Sequence, residues 1–169
     1  MSEKAAVEYH FRPIGVIRTH FTNSAESPIQ PVFAGGAAGR VELLPEYAQG
    51  LDDLDGFSHI HLIYIFHRSP GFKLRVKPFL QDVEHGVFAT RTPNRPNPIG
   101  LSVVRLVRRE GAMLFVEDVD MLDGTPLLDI KPFSPRFDAR ENATSGWLSE
   151  VDEQTARQRG RAAGRKAPD

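Results

Sequence analysis

Cysteine is absent from all 169 residues, which removes disulfides, thiolate metal sites and cysteine nucleophiles together. Long apolar runs are missing too. The longest largely apolar stretch, Ile60 to Phe66, is far too short to cross a bilayer as a helix. Nor is there an excess of either charge: 21 Lys and Arg stand against 22 Asp and Glu, for a net charge of -1. That balance excludes a protein that coats nucleic acid through bulk positive charge, although a local basic groove is compatible with it. No N-terminal segment combines basic residues, an apolar run and a small-residue cleavage site, so secretion is not expected and a cytoplasmic protein is.

What is present is the composition of an ordinary globular domain, 40% hydrophobic and 25% charged, long enough to bury one core without covalent staples. Alternation around Ile14, Val16 and Arg18 marks a first strand within Phe11–Phe21. Asn23 to Gly39, with Pro28, Pro31 and Gly35-Gly36, reads as a long loop, and loops of that length are often functional. Arg40–Leu44 is a short strand with Val41 and Leu43 on one face, and Pro45–Gly50 is one helical turn. Ser58–His67 is the strongest strand, apolar on both faces and so expected to be buried on both, in a barrel wall or at a dimer interface. Lys73–Phe79 and Val87–Thr90 are further strand candidates; Leu101–Arg108 and Ala112–Val119 form a hairpin turning at Glu110-Gly111; Leu127–Ile130 is the last strand. Glu150–Ala163 reads as helical.

Strands outnumber helices and never alternate with them, so a Rossmann sheet is a poor fit. The expected fold is mostly β: a small barrel or strongly curved antiparallel-rich sheet with short helices. The expected division is a loose N-terminus over residues 1–8, one barrel domain over 9–148, and a C-terminal helix with a basic tail over 149–169.

Two stretches carry chemistry. Arg91-Thr-Pro-Asn-Arg-Pro-Asn-Pro98 is too rich in proline for a helix interior or central strand. Its stiffness lowers the entropy cost of holding Arg91 and Arg95 ready for a carboxylate or phosphate, which the guanidinium fork suits. The competing reading is a structural turn whose arginines pair with the chain's own acids. Asp120-Met-Leu-Asp-Gly-Thr-Pro126 could turn Asp120 and Asp123 toward ribose hydroxyls, an α-amino group or a proton, or could be an Asp-Gly turn bonding its own backbone.

Other signals are weaker. His59, His61 and His67 share parity on one strand, but His61 and His67 would lie about 20 Å apart, so no metal site is expected. His67, at the strand end, is the one with a possible site role. Gly35-Gly-Ala-Ala-Gly39 lacks the spacing of a nucleotide-binding glycine loop. The tail cations Arg157, Arg159, Arg161, Arg165 and Lys166 could meet RNA phosphates or simply be solvated.

In order along the chain, Phe11-Arg-Pro-Ile-Gly-Val-Ile-Arg18, Pro28-Ile-Gln-Pro31, Leu54-Asp-Gly-Phe-Ser-His59, Gly86-Val-Phe-Ala-Thr-Arg91, Arg95-Pro-Asn-Pro-Ile-Gly-Leu-Ser102 and Leu122-Asp-Gly-Thr-Pro126 with Asp129-Ile-Lys-Pro132 resemble the TsaA-like (TrmO-type) family. The resemblance covers about residues 11 to 135. It implies a small β-barrel, unlike Rossmann methyltransferases, a homodimer, and S-adenosylmethionine as methyl donor. The implied reaction is methylation of the exocyclic nitrogen of threonylcarbamoyl-adenosine beside a tRNA anticodon, with neither metal nor membrane involved. Carried over by motif, the cofactor-binding residues would be Pro28, Ile29, Gln30, His67, Arg68, Arg91, Leu101, Asp120, Met121, Leu122 and Asp123. The acceptor nitrogen is a weak nucleophile, so a proton acceptor would help, and His67 and Asp123 are the catalytic candidates by location. His61 stands where relatives carry a bulky aromatic and inherits no role. Enterobacterial members also have a C-terminal domain with no counterpart after Trp147, a difference that bears on how tRNA would dock. Two rivals stand beside this reading: methylation of another RNA or a small molecule, and a non-catalytic cofactor-binding module.

Overall fold

In the computed structural model, residues 7–161 are described. The period-two patterns become six strands that close into a barrel: β1 (Gly15–Arg18), β2 (Ala38–Leu43), β3 (His59–Ile65), β6 (Ile99–Glu110), β7 (Met113–Glu117) and β8 (Thr125–Pro132). The order around the wall is β1-β2-β7-β6-β3-β8, and every neighbouring pair is antiparallel. Every second side chain points inward, so Ile17, Val41, Ile60, Leu62, Val104, Leu114 and Leu127 are wholly buried in the core. Each such burial is worth roughly 1.5–3 kcal/mol, and closure leaves the barrel itself without an edge strand. Irregularities in register at Ile63/Tyr64 and Leu106/Arg108 bend the longer strands round the wall.

The hairpin, the Arg40–Leu44 strand and the last strand are where the sequence puts them, and the turn at Gly111 has the left-handed φ of 61°. Pro45–Leu51 is a 3₁₀ helix. Three expectations change. Val87–Ala89 is a 3₁₀ turn rather than a strand, closed by the Thr90 N–H and hydroxyl, both donating to the Val87 carbonyl. Of Lys73–Phe79 only β4 (Arg75–Val76) is extended, paired with β5 (His85–Gly86) in a separate two-stranded ribbon. On β3, Ile60, Leu62 and Tyr64 fill the barrel, while His59, His61, Ile63 and Ile65 on the outer face are only half-buried.

A short helix α1 (Pro135–Asp138) follows β8, then a 3₁₀ segment Gly146–Glu150 and helix α2 (Glu153–Gly160). Asp152 caps α2 by accepting from the Thr155 N–H. The expected helix over Glu150–Ala163 is therefore seen over its middle. Ala163 and the tail cations Arg165 and Lys166 lie outside the described residues, as do residues 1–6 of the expected loose N-terminus.

Antiparallel closure has a functional consequence. The ends of β1, β3 and β7 and the starts of β2, β6 and β8 all lie at one rim, as the pairs Arg18↔Arg40, Ala38↔Glu117, Ile65↔Ile99 and Ile17↔Thr125 fix. The three connections that carry the sequence's candidate residues, 19–37, 66–98 and 118–124, therefore emerge together. The opposite rim has the Gly111 turn and the 44–58 connection.

Candidate functional site at the loop-bearing rim

Inside the mouth of the barrel lies a short polar chain. The Tyr64 hydroxyl and Ser102 Oγ are 2.9 Å apart, and Ser102 Oγ donates to Asp120 Oδ1 at 2.6 Å. Tyr64 and Ser102 are buried, and Asp120 is half-buried. The arrangement depends on Gly100, which faces Tyr64 across the β3–β6 pair; a β-carbon there would overlap the tyrosine ring. Burial pushes the Asp120 carboxyl up to about 7, against the Ser102 hydrogen bond and the Arg91 charge, which both hold it down. The Tyr64 hydroxyl is raised well above its usual range, first by burial and then by the Asp120 charge.

The loops are tied to one another around this mouth. Arg91, exposed, donates from Nη1 to Gln30 Oε1 at 2.7 Å, and Gln30 Nε2 donates to the Ile29 carbonyl at 2.8 Å. Arg68 Nη1 donates to the Thr22 carbonyl at 2.7 Å. Both arginines thus join the 66–98 connection to the 19–37 loop. Asp123 Oδ1 accepts from the Thr19 N–H at 3.1 Å, Asp123 Oδ2 lies 3.9 Å from Arg18 Nη1, and Thr19 Oγ1 donates to the Met121 carbonyl at 2.9 Å. These contacts hold 118–124 against the end of β1, while the Gly36 N–H donates to Asp118 Oδ1 at 2.8 Å.

The expected site residues can now be placed individually. Gln30, Arg91 and Asp120 converge: a hydrogen bond joins the first two, and the Arg91 charge acts on Asp120 and Tyr64. Pro28 is buried and Ile29 half-buried beside them in the same loop. Met121 is a core side chain, 3% exposed, and Leu122 packs against that core, so what these two offer the rim is backbone. Leu101 is on the outer face of β6, 49% exposed, pointing away from its inward neighbour Ser102. His67 lies beyond the end of β3 rather than on the His59/His61 face, because its N–H turns back to the Ile65 carbonyl. It is exposed, and partial burial and the Arg68 charge hold its pKa below the usual histidine value, so the ring is neutral at pH 7.

In the proline-rich segment neither arginine pairs with an acid among the described residues: Arg95 bonds backbone carbonyls and Arg91 bonds Gln30. Arg95 is committed to its own turn, donating to the carbonyls of Thr90 and Thr92 at 3.1 and 3.5 Å, and Ser69 Oγ donates to the Pro93 carbonyl at 3.0 Å. Arg91 alone reaches the mouth. Among the tail cations, Arg157 pairs with Glu153 and Arg159 with Asp82. Outside the site, His61 Nε2 lies 3.5 Å from Asp138 Oδ1 and its ring packs on Phe133. Sequence reasoning missed the Tyr64–Ser102 pair. Its only signal was a serine at an inward position in line with Val104 and Leu106.

Comparison with known proteins agrees with this architecture. Residues 16–139 match the tRNA-methyltransferase O N-terminal domain family. A Pyrococcus abyssi protein named as a probable S-adenosyl-L-methionine-binding protein is 56% identical over 138 residues, 82% of this chain and 75% of that protein. The tRNA (adenine(37)-N6)-methyltransferase of Mus musculus is 34% identical over 139 residues, 77% of this chain but 32% of the mouse protein. The crystal structure of TrmO from Pseudomonas aeruginosa superposes with a TM-score of 0.70 at 40% identity, covering 83% of this chain and 62% of that one. The chain thus spans three quarters of its archaeal relative, under two thirds of the solved enzyme and a third of the mouse enzyme. With the barrel, the motif order and the match over residues 16–139 in agreement, this chain belongs to the tRNA-methyltransferase O N-terminal domain family.

Proposed function

We propose that the chain is an S-adenosylmethionine-dependent methyltransferase that modifies the exocyclic nitrogen of adenosine 37 in tRNA, with threonylcarbamoyl-adenosine as the acceptor. In this reading it works in the cytoplasm as a homodimer. The observation that carries the reading is the convergence at one rim of an exposed arginine, a glutamine and a protonatable aspartate, from three separate connections. The mouse relative's name supplies the base and the atom, and the names of the archaeal relatives supply the cofactor.

The donor set suits the cofactor. Arg91, pre-positioned by Gln30, fits the methionine carboxylate, and Asp120 fits the amino group or a ribose hydroxyl. The Pro28-Ile29 segment gives an apolar edge for a purine, and the backbone of Met121 and Leu122 completes the wall. When bound, S-adenosylmethionine supplies an activated methyl on a sulfonium, so the protein's own task is to orient the reactants and exclude water.

The acceptor nitrogen also has to lose a proton. His67, neutral at pH 7, has a ring nitrogen able to accept one. Asp120, held near neutrality by burial, can take one up and is linked through Ser102 to Tyr64. For Asp123, the bonds to Thr19 and Arg18 favour positioning of the 118–124 loop over proton transfer.

The test is incubation of the purified protein with labelled S-adenosylmethionine and tRNA carrying or lacking the threonylcarbamoyl group, followed by nucleoside mass analysis. Methylation of the modified tRNA alone is expected. Label on both tRNAs would discard the threonylcarbamoyl requirement, and tight cofactor binding without transfer to either would favour a binding module.

A further inference from the structure

After β8 leaves at the far rim, the chain comes back. Residues 146–160, beyond the stretch that matches the family, dock on the loop-bearing rim at two places that matter. Trp147 Nε1 donates to the Ala89 carbonyl at 2.8 Å, two residues before Arg91, and the indole stacks on His85 with ring centres 4.5 Å apart. At the other end of the arm, the Gly160 carbonyl accepts from the Ile29 N–H at 3.1 Å, one residue before Gln30. A helix's last carbonyls have no partner within the helix, and here one is satisfied by the candidate cofactor loop. Gly160 is buried, and a β-carbon on it would press into the Phe33 ring. Between the two anchors, Glu150 Oε2 accepts from Gln81 Nε2 at 3.1 Å and Arg159 pairs with Asp82 at 3.0 Å.

The two anchored segments are those that Arg91 and Gln30 join directly. Arm, Ala89–Arg91, Gln30–Ile29 and arm again therefore form a closed ring of contacts, with the arginine–glutamine pair on its open side. We propose that the C-terminal arm is a positioning element of the cofactor pocket, with Trp147 and Gly160 as its positioning residues, which set the Arg91–Gln30 pair before the ligand arrives. This rests on the cofactor reading above. An arm that only stabilised the barrel would have no reason to hold both segments beside the pair, and the surface ion pair of Arg159 adds little to stability. Pre-positioning acts on affinity, because a loop ordered in advance loses less entropy on binding.

The test uses the full chain with Trp147→Phe, which removes the indole donor but keeps a ring, and Gly160→Val, which wedges the helix end off Phe33. Arg157→Ala is the control, since among the described residues Arg157 pairs with Glu153 of its own helix. Calorimetry with S-adenosylhomocysteine should show each test variant binding at least about fivefold more weakly, the loss of one hydrogen bond's worth of ordering, with the control unchanged. Hydrogen exchange of the ligand-free variants should rise at the amides of Ile29, Gln30 and residues 89–91. In methyl transfer the KM for S-adenosylmethionine should rise while kcat holds. If Gly160→Val fails to fold, Trp147→Phe decides alone. A wild type that binds no S-adenosylhomocysteine sinks the cofactor reading and this inference with it. A wild type that binds, with folded variants that match it, sinks the arm's role alone.

Discussion

Replacing Asp120 with asparagine should make the protein more stable, and by an amount that depends on pH. In the folded chain burial raises this carboxyl from its ordinary 3.8 to about 7. A raised acid is a cost of folding once it must ionise. Below pH 4 the group is protonated in both states and contributes nothing. Between pH 4 and 7 the unfolded chain has lost the proton and the folded one keeps it, so stability falls as pH rises; above about 7 both are ionised and the cost levels off. The rise from 3.8 to about 7, at 1.36 kcal/mol per pH unit, sets an upper bound of about 4 kcal/mol. Asparagine does not titrate, and its amide oxygen still accepts from Ser102, so the Ser102 hydrogen bond has a partner in both proteins. Urea unfolding of both proteins at pH 4, 5.5, 7 and 8.5 isolates the term, because the other titrating groups cancel in the difference. The asparagine variant should gain about 2 to 4 kcal/mol relative to wild type across that range, mostly between pH 4 and 7. A difference that stays constant with pH would refute the burial argument and remove Asp120 as a group that can exchange a proton near neutrality.

The other expectations rest on single contacts. Arg91→Ala should weaken S-adenosylmethionine binding by at least about 1.5 kcal/mol in calorimetry, the cost of one charge-assisted hydrogen bond. Gly100→Ala should destabilise the fold by about 1–3 kcal/mol in urea, because its methyl overlaps the Tyr64 ring across the strand pair. Asp123→Ala leaves the part-buried Thr19 N–H without its acceptor and should cost about 1–3 kcal/mol of stability; if it instead abolished turnover in a protein of unchanged stability, Asp123 would be restored as the proton acceptor. His67→Ala should slow methyl transfer about 100-fold with cofactor affinity little changed, measured by single-turnover kinetics with saturating S-adenosylmethionine.

The barrel was legible because its signals are local. Val41 and Leu43, or Ile60 and Leu62, announce an inward face by spacing alone, and Gly111 announces the hairpin turn. Where the structure departs from the pattern, a longer-range fact decides. Val87–Thr90 has the residues of a strand, but its cross-chain pairing stops at the Val87 N–H on the Leu74 carbonyl, and the Thr90 N–H bonds one turn back to Val87 instead. His67 has the parity of His59 and His61, yet the strand stops at Ile65, and parity means nothing past a strand's end.

The site was legible to a different degree for each residue, and the reason is what each side chain bonds to. Arg91 and Arg95 look alike in sequence: both sit in the same proline-braced segment. One closes its own turn and the other bridges to Gln30, 61 residues away. Asp120 and Asp123 divide in the same way. Asp123 ties down the end of β1, whereas Asp120 meets Ser102 only because the barrel's register brings β6 and the β7–β8 connection side by side. Spacing along a chain can nominate a polar residue, but it carries no information on whether that residue's partner is its own turn or a strand across the barrel. Only the register carries that, and the register is set by the apolar residues that share the inward face with Tyr64 and Ser102. The chemistry at the mouth therefore depends on the packing below it: shifting β6 by one residue against β3 would turn Ser102 outward, bring Leu101 into the core, and disconnect Asp120 from Tyr64 without changing a single residue of the site.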